Sequence, residues 1–300
     1  MPLAAAVDIG GTSTKIGIVG DEGHIVERAS IPTSAAGDPL PLMEAIVSTL
    51  RPMLDALSAK GIEPLGIGVS VAGFLDADRS MMIENANLRA LCGFPLRPAF
   101  EERFTLECRL EVDSNAATLA EYRFGGGQGE HRLLGVTLGT GLGGGVIIDG
   151  ALLRYTGQCA GDVGHIILDP DGPPCTCGAR GCLEAMVSSA ALSGRAGGRR
   201  VRDVITSARA GDRDSVTALA ETGRWLGLGL ASLSPLFAPD TIVVGGGIAA
   251  AGDLLLMPTR ASYQEHAAPD HRRRVRIIGS RFHGWEGLVG AACLFLDPLP

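Results

Sequence analysis

"VDIGGTSTKIGIVGDEGHIVERASIP", residues 7–32, decides the fold. An apolar run ends at Asp8. A glycine turn follows, and two β-rich runs then meet at the "GDEG" turn, which reads as a hairpin. The same build returns at residues 133–153, "LLGVTLGTGLGGGVIIDGALL", with two strands around a glycine-rich turn. Helices and strands alternate after each copy. "PLPLMEAIVSTLRPMLDALSAKG" (39–61) has helical period, and Gly61 is a plausible stop. "LGIGVSVAGFLD" (65–76) reads as a buried strand entering a glycine turn, and "LECRLEVDSNAATLAEYRFG" (106–125) as a strand with a helix starting near Ser114. In the second half, residues 214–238 read as a helix, "DTIVVGGGI" (240–248) as a strand into a glycine turn, and residues 284–297 as a closing helix. The pattern predicts an α/β protein of two similar domains with a cleft between them. The expected division is an N-terminal domain of residues 1–118, rejoined by a C-terminal helix at 285–298, and a C-terminal domain of residues 119–284.

Composition narrows the function classes. Of 300 residues, 46% are hydrophobic and 20% charged, enough for a packed core and unlike a disordered chain. The formal charge of −7 argues against a general polyanion or nucleic-acid binder. The one basic run, "HRRRVR" (271–276), reads as a solvated loop leading into the strand "VRIIGS". The N-terminus lacks a basic region and a long apolar core, so no secretory leader is expected, and no run reaches membrane-spanning length. A cytoplasmic location follows as the expectation, where thiols stay reduced and stable disulfides are rare.

Three glycine turns carry candidate chemistry. In "DIGGTSTK" (8–15), Gly10 and Gly11 permit close backbone approach to a ligand. Thr12 and Thr14 offer hydroxyls, and Lys15 is one of only two lysines in the chain. Backbone N–H groups in such a turn can cradle phosphate, and Asp8 could hold Mg²⁺ through water. An ordinary hairpin needing glycine for geometry reads equally well from these residues alone. "TLGTGLGGG" (137–145) has the same character, with Gly139, Thr140 and Gly141 as a second phosphate grip. "VVGGGI" (243–248) is the third, where an adenosine could lie. The chain has no GxxxxGK[ST] P-loop and no GxGxxG fingerprint opening a helix. Three such turns in two matched domains point to a nucleotide. Asp113 stands at a strand-to-helix junction. It reads either as an N-cap or as a general base that accepts a hydroxyl proton while the oxygen attacks phosphorus.

"GPPCTCGARGC" (172–182) places Cys175, Cys177 and Cys182 within eight positions, ten residues after His165. Three thiolates and one imidazole suit a closed, structural Zn²⁺ site; a redox CxC pair with a spare cysteine is the alternative. The remaining cysteines are scattered and read as small core residues.

Together, "DIGGTSTK", Asp113, "GTGLGGG", "GDVGHIILDPDGPPCTCGARGCLE" and "IVVGGGIAAAGD" resemble the ROK family of bacterial sugar kinases and repressors, in order and spacing over nearly the whole chain. The resemblance implies an actin-like ATPase (hexokinase) fold, a homodimer, and ATP-dependent phosphorylation of a hexose, usually at the 6-hydroxyl. It assigns Asp8, Gly10, Gly11, Thr12 and Lys15 to the first phosphate motif and Thr137, Gly139, Thr140 and Gly141 to the second. Gly245, Gly246 and Gly247 match the adenosine motif. Asp113 matches the catalytic base, and His165, Cys175, Cys177 and Cys182 match the zinc ligands. Gly73, Asn87, Asp162, His165 and Glu184 match sugar-side positions, with the zinc orienting His165 and Glu184.

Two positions depart from the family's glucokinases. Val112 replaces an asparagine beside the base, and Asp162 replaces a glutamate. Sites built on hydrogen bonds discriminate against substrates that lack the matching group. The expected substrate is therefore an aminosugar such as kanosamine, which some relatives phosphorylate in antibiotic pathways. Glucose and N-acetylmannosamine are the alternatives. A sugar-sensing, non-catalytic protein of the same family is the rival class. Its repressors carry a helix-turn-helix before the first glycine motif, and with that motif at residue 8 none is expected.

Overall fold

The computed structural model describes residues 2–33, 37–85, 88–154 and 162–296. The chain divides into two compact units, one of Met1–Gln128, Gly150–Ala160 and Trp285–Pro300, the other of Gly129–Asp149 and Gly161–Gly284. No helix among the described residues is long and apolar enough to cross a membrane.

With elements numbered along the chain, the first unit holds β1 (Leu3–Ile9), β2 (Ser13–Gly20), β3 (Ile25–Pro32), α1 (Leu40–Ser58), β4 (Ile67–Val71), the short strands β5 (Phe74–Leu75) and β6 (Met82–Glu84), α2 (Leu96–Phe104), β7 (Cys108–Val112), α3 (Asp113–Phe124), β10 (Ala151–Leu152) and α10 (Glu286–Leu296). Its main sheet runs β3-β2-β1-β4-β7. β1, β2 and β3 are antiparallel neighbours, while β4 and β7 join β1 in parallel.

The two faces of β1 differ, because successive side chains of a strand point to opposite sides. Leu3, Ala5, Val7 and Ile9 share an apolar core with Leu42, Met43, Ile46 and Leu50 of α1 and Phe100 of α2. Ala4, Ala6 and Asp8 face the other way. Register puts Gly17 and Gly68 beside Ala6 and Ser70 beside Asp8, so the middle of that face is built of small residues. α10 lies against it. A β-carbon on Gly68 would overlap the Ala291 carbonyl, and one on Gly290 would overlap the backbone of Ala116 in α3.

In the second unit are β8 (Arg132–Leu138), β9 (Leu142–Ile148), α4 (Leu183–Val187), α5 (Ser189–Arg195), α6 (Val201–Arg209), α7 (Arg213–Phe237), β11 (Thr241–Gly245), α8 (Asp253–His266), α9 (Pro269–Arg274) and β12 (Arg276–Gly279). β9, β8, β11 and β12 lie side by side in that order; β8 pairs antiparallel with β9 and parallel with β11. Helix α7 begins on an Asp212 cap, whose carboxylate accepts from Ser215 N at 3.0 Å. Gly223 and Gly227 of α7 let α8 approach closely, and β-carbons there would overlap the Leu255 and Thr259 carbonyls. The basic run 271–276, expected as a loop, lies largely on α9. None of that helix is buried, and Arg273 pairs with Asp270 at 2.9 Å. Its solvated character stands, while Pro269 at the first helical position supplies a start signal.

Because the α10 seat has no spare volume, Gly68→Ala or Gly290→Ala should lower the unfolding free energy by about 1–3 kcal/mol through overpacking. Urea denaturation measures this; unchanged midpoints would contradict the seating of α10.

Candidate active site

The parallel strands of the first unit end on one edge of its sheet, and the polar groups gather there. In open α/β sheets ligands bind beyond the carboxyl ends of the strands. Asp8 is the penultimate residue of β1, Ser70 its neighbour on β4, and Lys15 its partner on β2. The buried Asp8 carboxylate accepts from Ser70 Oγ at 2.7 Å and from Lys15 Nζ at 3.1 Å. Gly287 of α10 sits against it, and a β-carbon there would be 2.6 Å from the carboxylate. The turn carrying Gly10, Gly11 and Thr12 is closed by Gly10 N donating to Ser13 O at 3.2 Å, and Gly11 and Thr12 are exposed. Thr14 does not join them: it is buried, 2.8 Å from the Thr33 hydroxyl.

Asp113 opens α3 directly after β7. Its Oδ1 accepts from Ser114 N at 2.7 Å, but it is the first helical residue and not the cap: Val112 holds that position without a side-chain bond, so the capping alternative is not what the structure shows. Burial pushes its pKa up to about 6; the negative charge of Asp8 adds to the rise, while the Ser114 N–H and Lys15 oppose it. Gly73 follows β4 with φ +118°, and a β-carbon there would meet the Glu84 carbonyl at 2.6 Å. The paired segment leads toward Asn87, which lies outside the described residues.

The second unit repeats the pattern. Gly139 N donates to Gly141 O at 2.9 Å, closing the turn between β8 and β9. Ser189, at the start of α5, pins that turn through two bonds to Gly139 O, from N at 2.9 Å and from Oγ at 2.6 Å. Thr137 lies beside Gly245 in the β8–β11 register, so the second and third glycine turns are neighbours. Gly246 has φ +86° and packs on the Leu138 backbone where no β-carbon fits, and Gly247 follows it into a short 3₁₀ turn. Thr140 is exposed at the tip of its turn.

The ligand atoms of His165, Cys175, Cys177 and Cys182 all lie within 4.8 Å of one another. His165 Nδ1 is 3.5 Å from Cys175 Sγ, and the Cys177 and Cys182 sulfurs are 3.7 Å apart. A tetrahedral zinc with bonds of about 2.0–2.3 Å has edges of about 3.4–3.8 Å, so the donor set fits the ion in number and type, and these two separations match its edges. The other His165 nitrogen, Nε2, lies 3.7 Å from Asp162. Glu184 connects this loop to the second glycine turn. Its Oε1 accepts from Thr176 Oγ1 at 3.0 Å, and its Oε2 from Leu142 N at 2.9 Å. Gly141 has no room for a side chain beside that carboxylate.

The sequence reading misses Ser70, Ser189 and Glu111. Only Ser70 leaves a signal, as the lone polar residue in the apolar strand "IGVSV"; Glu111 alternates with Arg109 in "CRLEV" and gives no sign of burial.

Comparison with known proteins fits this geometry. The ROK family matches residues 4–298. A glucokinase of Streptomyces coelicolor is 35% identical, covering 100% of this chain and 99% of its own length. An N-acetylmannosamine kinase of Escherichia coli O7:K1 is 30% identical, with 97% of each chain covered. The solved structure of a ROK family glucokinase from Streptomyces griseus, in complex with glucose and AMPPNP, superposes with a TM-score of 0.83 at 34% identity, over 98% of this chain and 99% of that one. The chain belongs to the ROK family of bacterial sugar kinases and has the actin-like ATPase fold.

Proposed function

We propose that this chain transfers the γ-phosphoryl group of ATP to the 6-hydroxyl of a hexose, with Asp113 as general base. The observation that carries the reading is Asp113 itself. It is a carboxylate at a strand end, beside Asp8 and Lys15, with a pKa near 6. At neutral pH it is ionised and more basic than an ordinary aspartate, as a general base requires. It takes the hydroxyl proton while the oxygen attacks phosphorus in line. The Gly10 and Gly139 N–H groups close their own turns, so the N–H groups at 11–12 and 140–141 would be the ones offered to phosphate oxygens, and the turn at 245–247 would take the adenosine. Asp8 would hold Mg²⁺: each of its oxygens carries one hydrogen bond and keeps a further lone pair. The ion, when bound, neutralises charge on the β- and γ-phosphates.

Zn²⁺ would be held by His165, Cys175, Cys177 and Cys182 in a closed site with no open position for catalysis. The cluster sets the loop from which Asp162, His165 and Glu184 meet the sugar. Val112 and Asp162 favour an aminosugar such as kanosamine, because they remove an amide and shorten an acid in a pocket built on hydrogen bonds. A glucokinase is the second reading, supported by the Streptomyces coelicolor and Streptomyces griseus relatives.

ADP release from Mg-ATP across glucose, mannose, fructose, glucosamine, kanosamine, N-acetylglucosamine and N-acetylmannosamine separates these readings. An aminosugar should be turned over best. Glucose ahead of all others contradicts the substrate assignment, and no ADP release with any sugar restores the non-catalytic sugar sensor.

Asp113→Asn should lower turnover by about 10²–10⁴-fold. It should also stabilise the protein above pH 6. Because the folded pKa lies above the unfolded value, the folded chain holds this proton more tightly. Stability therefore falls as pH rises from about 4 to 6, and the ionised Asp113 stays unfavourable above that. Melting at pH 8 and pH 3.5 checks the sign: a gain is expected at the first and none at the second. Near-normal turnover contradicts the base assignment.

One zinc per chain is expected by elemental analysis. Cys177→Ser should lose the metal, lower the melting temperature and raise KM for the sugar. A zinc-free protein of normal stability and KM contradicts the metal site.

A further inference from the structure

Glu111 has a fully buried side chain one position before Val112. All of its acceptor capacity is used. Oε2 accepts from Arg79 Nη1 at 2.6 Å and from Arg154 Nη2 at 2.8 Å and Nε at 2.9 Å. Oε1 accepts from Val112 N and Asn115 Nδ2, each at 3.0 Å. These last two groups lie on either side of Asp113, one before it and one in the first turn of α3. The two arginines come from separate segments of the same unit. Arg79 sits in the turn between β5 and β6, which the Asp76 carboxylate closes by accepting from Ser80 N and Met81 N. Arg154 follows β10.

Stability is a weak reason for this cluster, since well-packed apolar side chains often replace a buried ion pair without loss. The geometry is specific instead: one carboxylate fixes the backbone before the proposed base and the helix turn after it, and two guanidiniums fix that carboxylate. Proton transfer in line with phosphoryl transfer tolerates little displacement of the base. We propose that Glu111, clamped by Arg79 and Arg154, is a positioning residue that sets the place and direction of the Asp113 carboxylate. The proposal rests on the reading of Asp113 as general base.

Four variants test it by steady-state kinetics with Mg-ATP and the sugar turned over best. Glu111→Gln should lower kcat by about 30-fold or more, with KM for ATP and sugar within about twofold, since misplacing a catalytic group affects the transition state rather than binding. Arg154→Met leaves Glu111 paired with Arg79, so the fold is retained. It should lower kcat by about 5- to 10-fold, and Arg154→Lys should recover most of that loss. Asp113→Asn is the control. If it keeps near-normal turnover, the base reading falls and the proposal with it. If Asp113→Asn is inactive while folded Glu111→Gln or Arg154→Met keeps kcat within about threefold of the parent, the positioning role alone is overturned. Should Glu111→Gln fail to fold, the kcat of Arg154→Met decides by the same limits.

Discussion

No β-carbon can be placed between Gly287 and the Asp8 carboxylate without moving one of them, and the architecture of the first unit depends on that close fit. β1 has a large-residue face and a small-residue face. The large face makes an apolar core with α1 and α2. The small face, Ala4, Ala6, Gly17 and Gly68, lets α10 settle almost onto the sheet backbone, and α3 packs in turn on α10 where Gly290 meets Ala116. Close packing of this kind transmits position, because interiors deform little. Asp8 and Asp113 are carried on elements that the packing holds in register, and their mutual repulsion is built in. Burial and the charge of Asp8 raise the pKa of Asp113, a stability cost retained at the proposed site.

The second unit uses the same devices. Its glycine turns lie at the ends of adjacent strands, tied by Ser189 and backed by Gly246 against Leu138. Glu184 then joins the turn at 141–142 to the cysteine loop. A change in the cysteine loop can therefore reach the proposed phosphate turn through one carboxylate. That link would give a Zn²⁺ held by the proposed ligands a route to influence the site without touching reacting atoms.

Much of the fold was legible because its signals are local. The hairpin at 7–32 announces itself by alternation and glycine. The buried run "DTIVVGGG" ends in glycines, and the helix at 286–296 is apolar on every side because it is buried on every side. The convergence of His165 with three cysteines follows from short spacing, which needs no knowledge of distant partners. α8 was not legible: its periodicity is weak and Pro258 lies inside it, so its seat on Gly223 and Gly227 decides the helix. Glu111 was not legible for a related reason. Alternating with Arg109 in its strand, it reads as solvent-facing, and only residues 79 and 154, brought back by the topology, turn it into a buried anchor. The basic run at 271–276 shows the limit from the other side: its exposure was readable, and its helical backbone was not.

The central claim is that a single carboxylate of raised pKa activates the sugar hydroxyl. The most direct measurement is kcat/KM for the sugar against pH between about 5 and 8, with Mg-ATP below its KM, for the native chain, because this ratio reports ionisation of the enzyme before substrate binds. The account predicts an acid limb in which kcat/KM falls tenfold per pH unit below an apparent pKa near 6, because protonated Asp113 cannot accept the hydroxyl proton. A profile flat down to pH 5, or one whose acid limb lies in the ordinary carboxylate range, would contradict it.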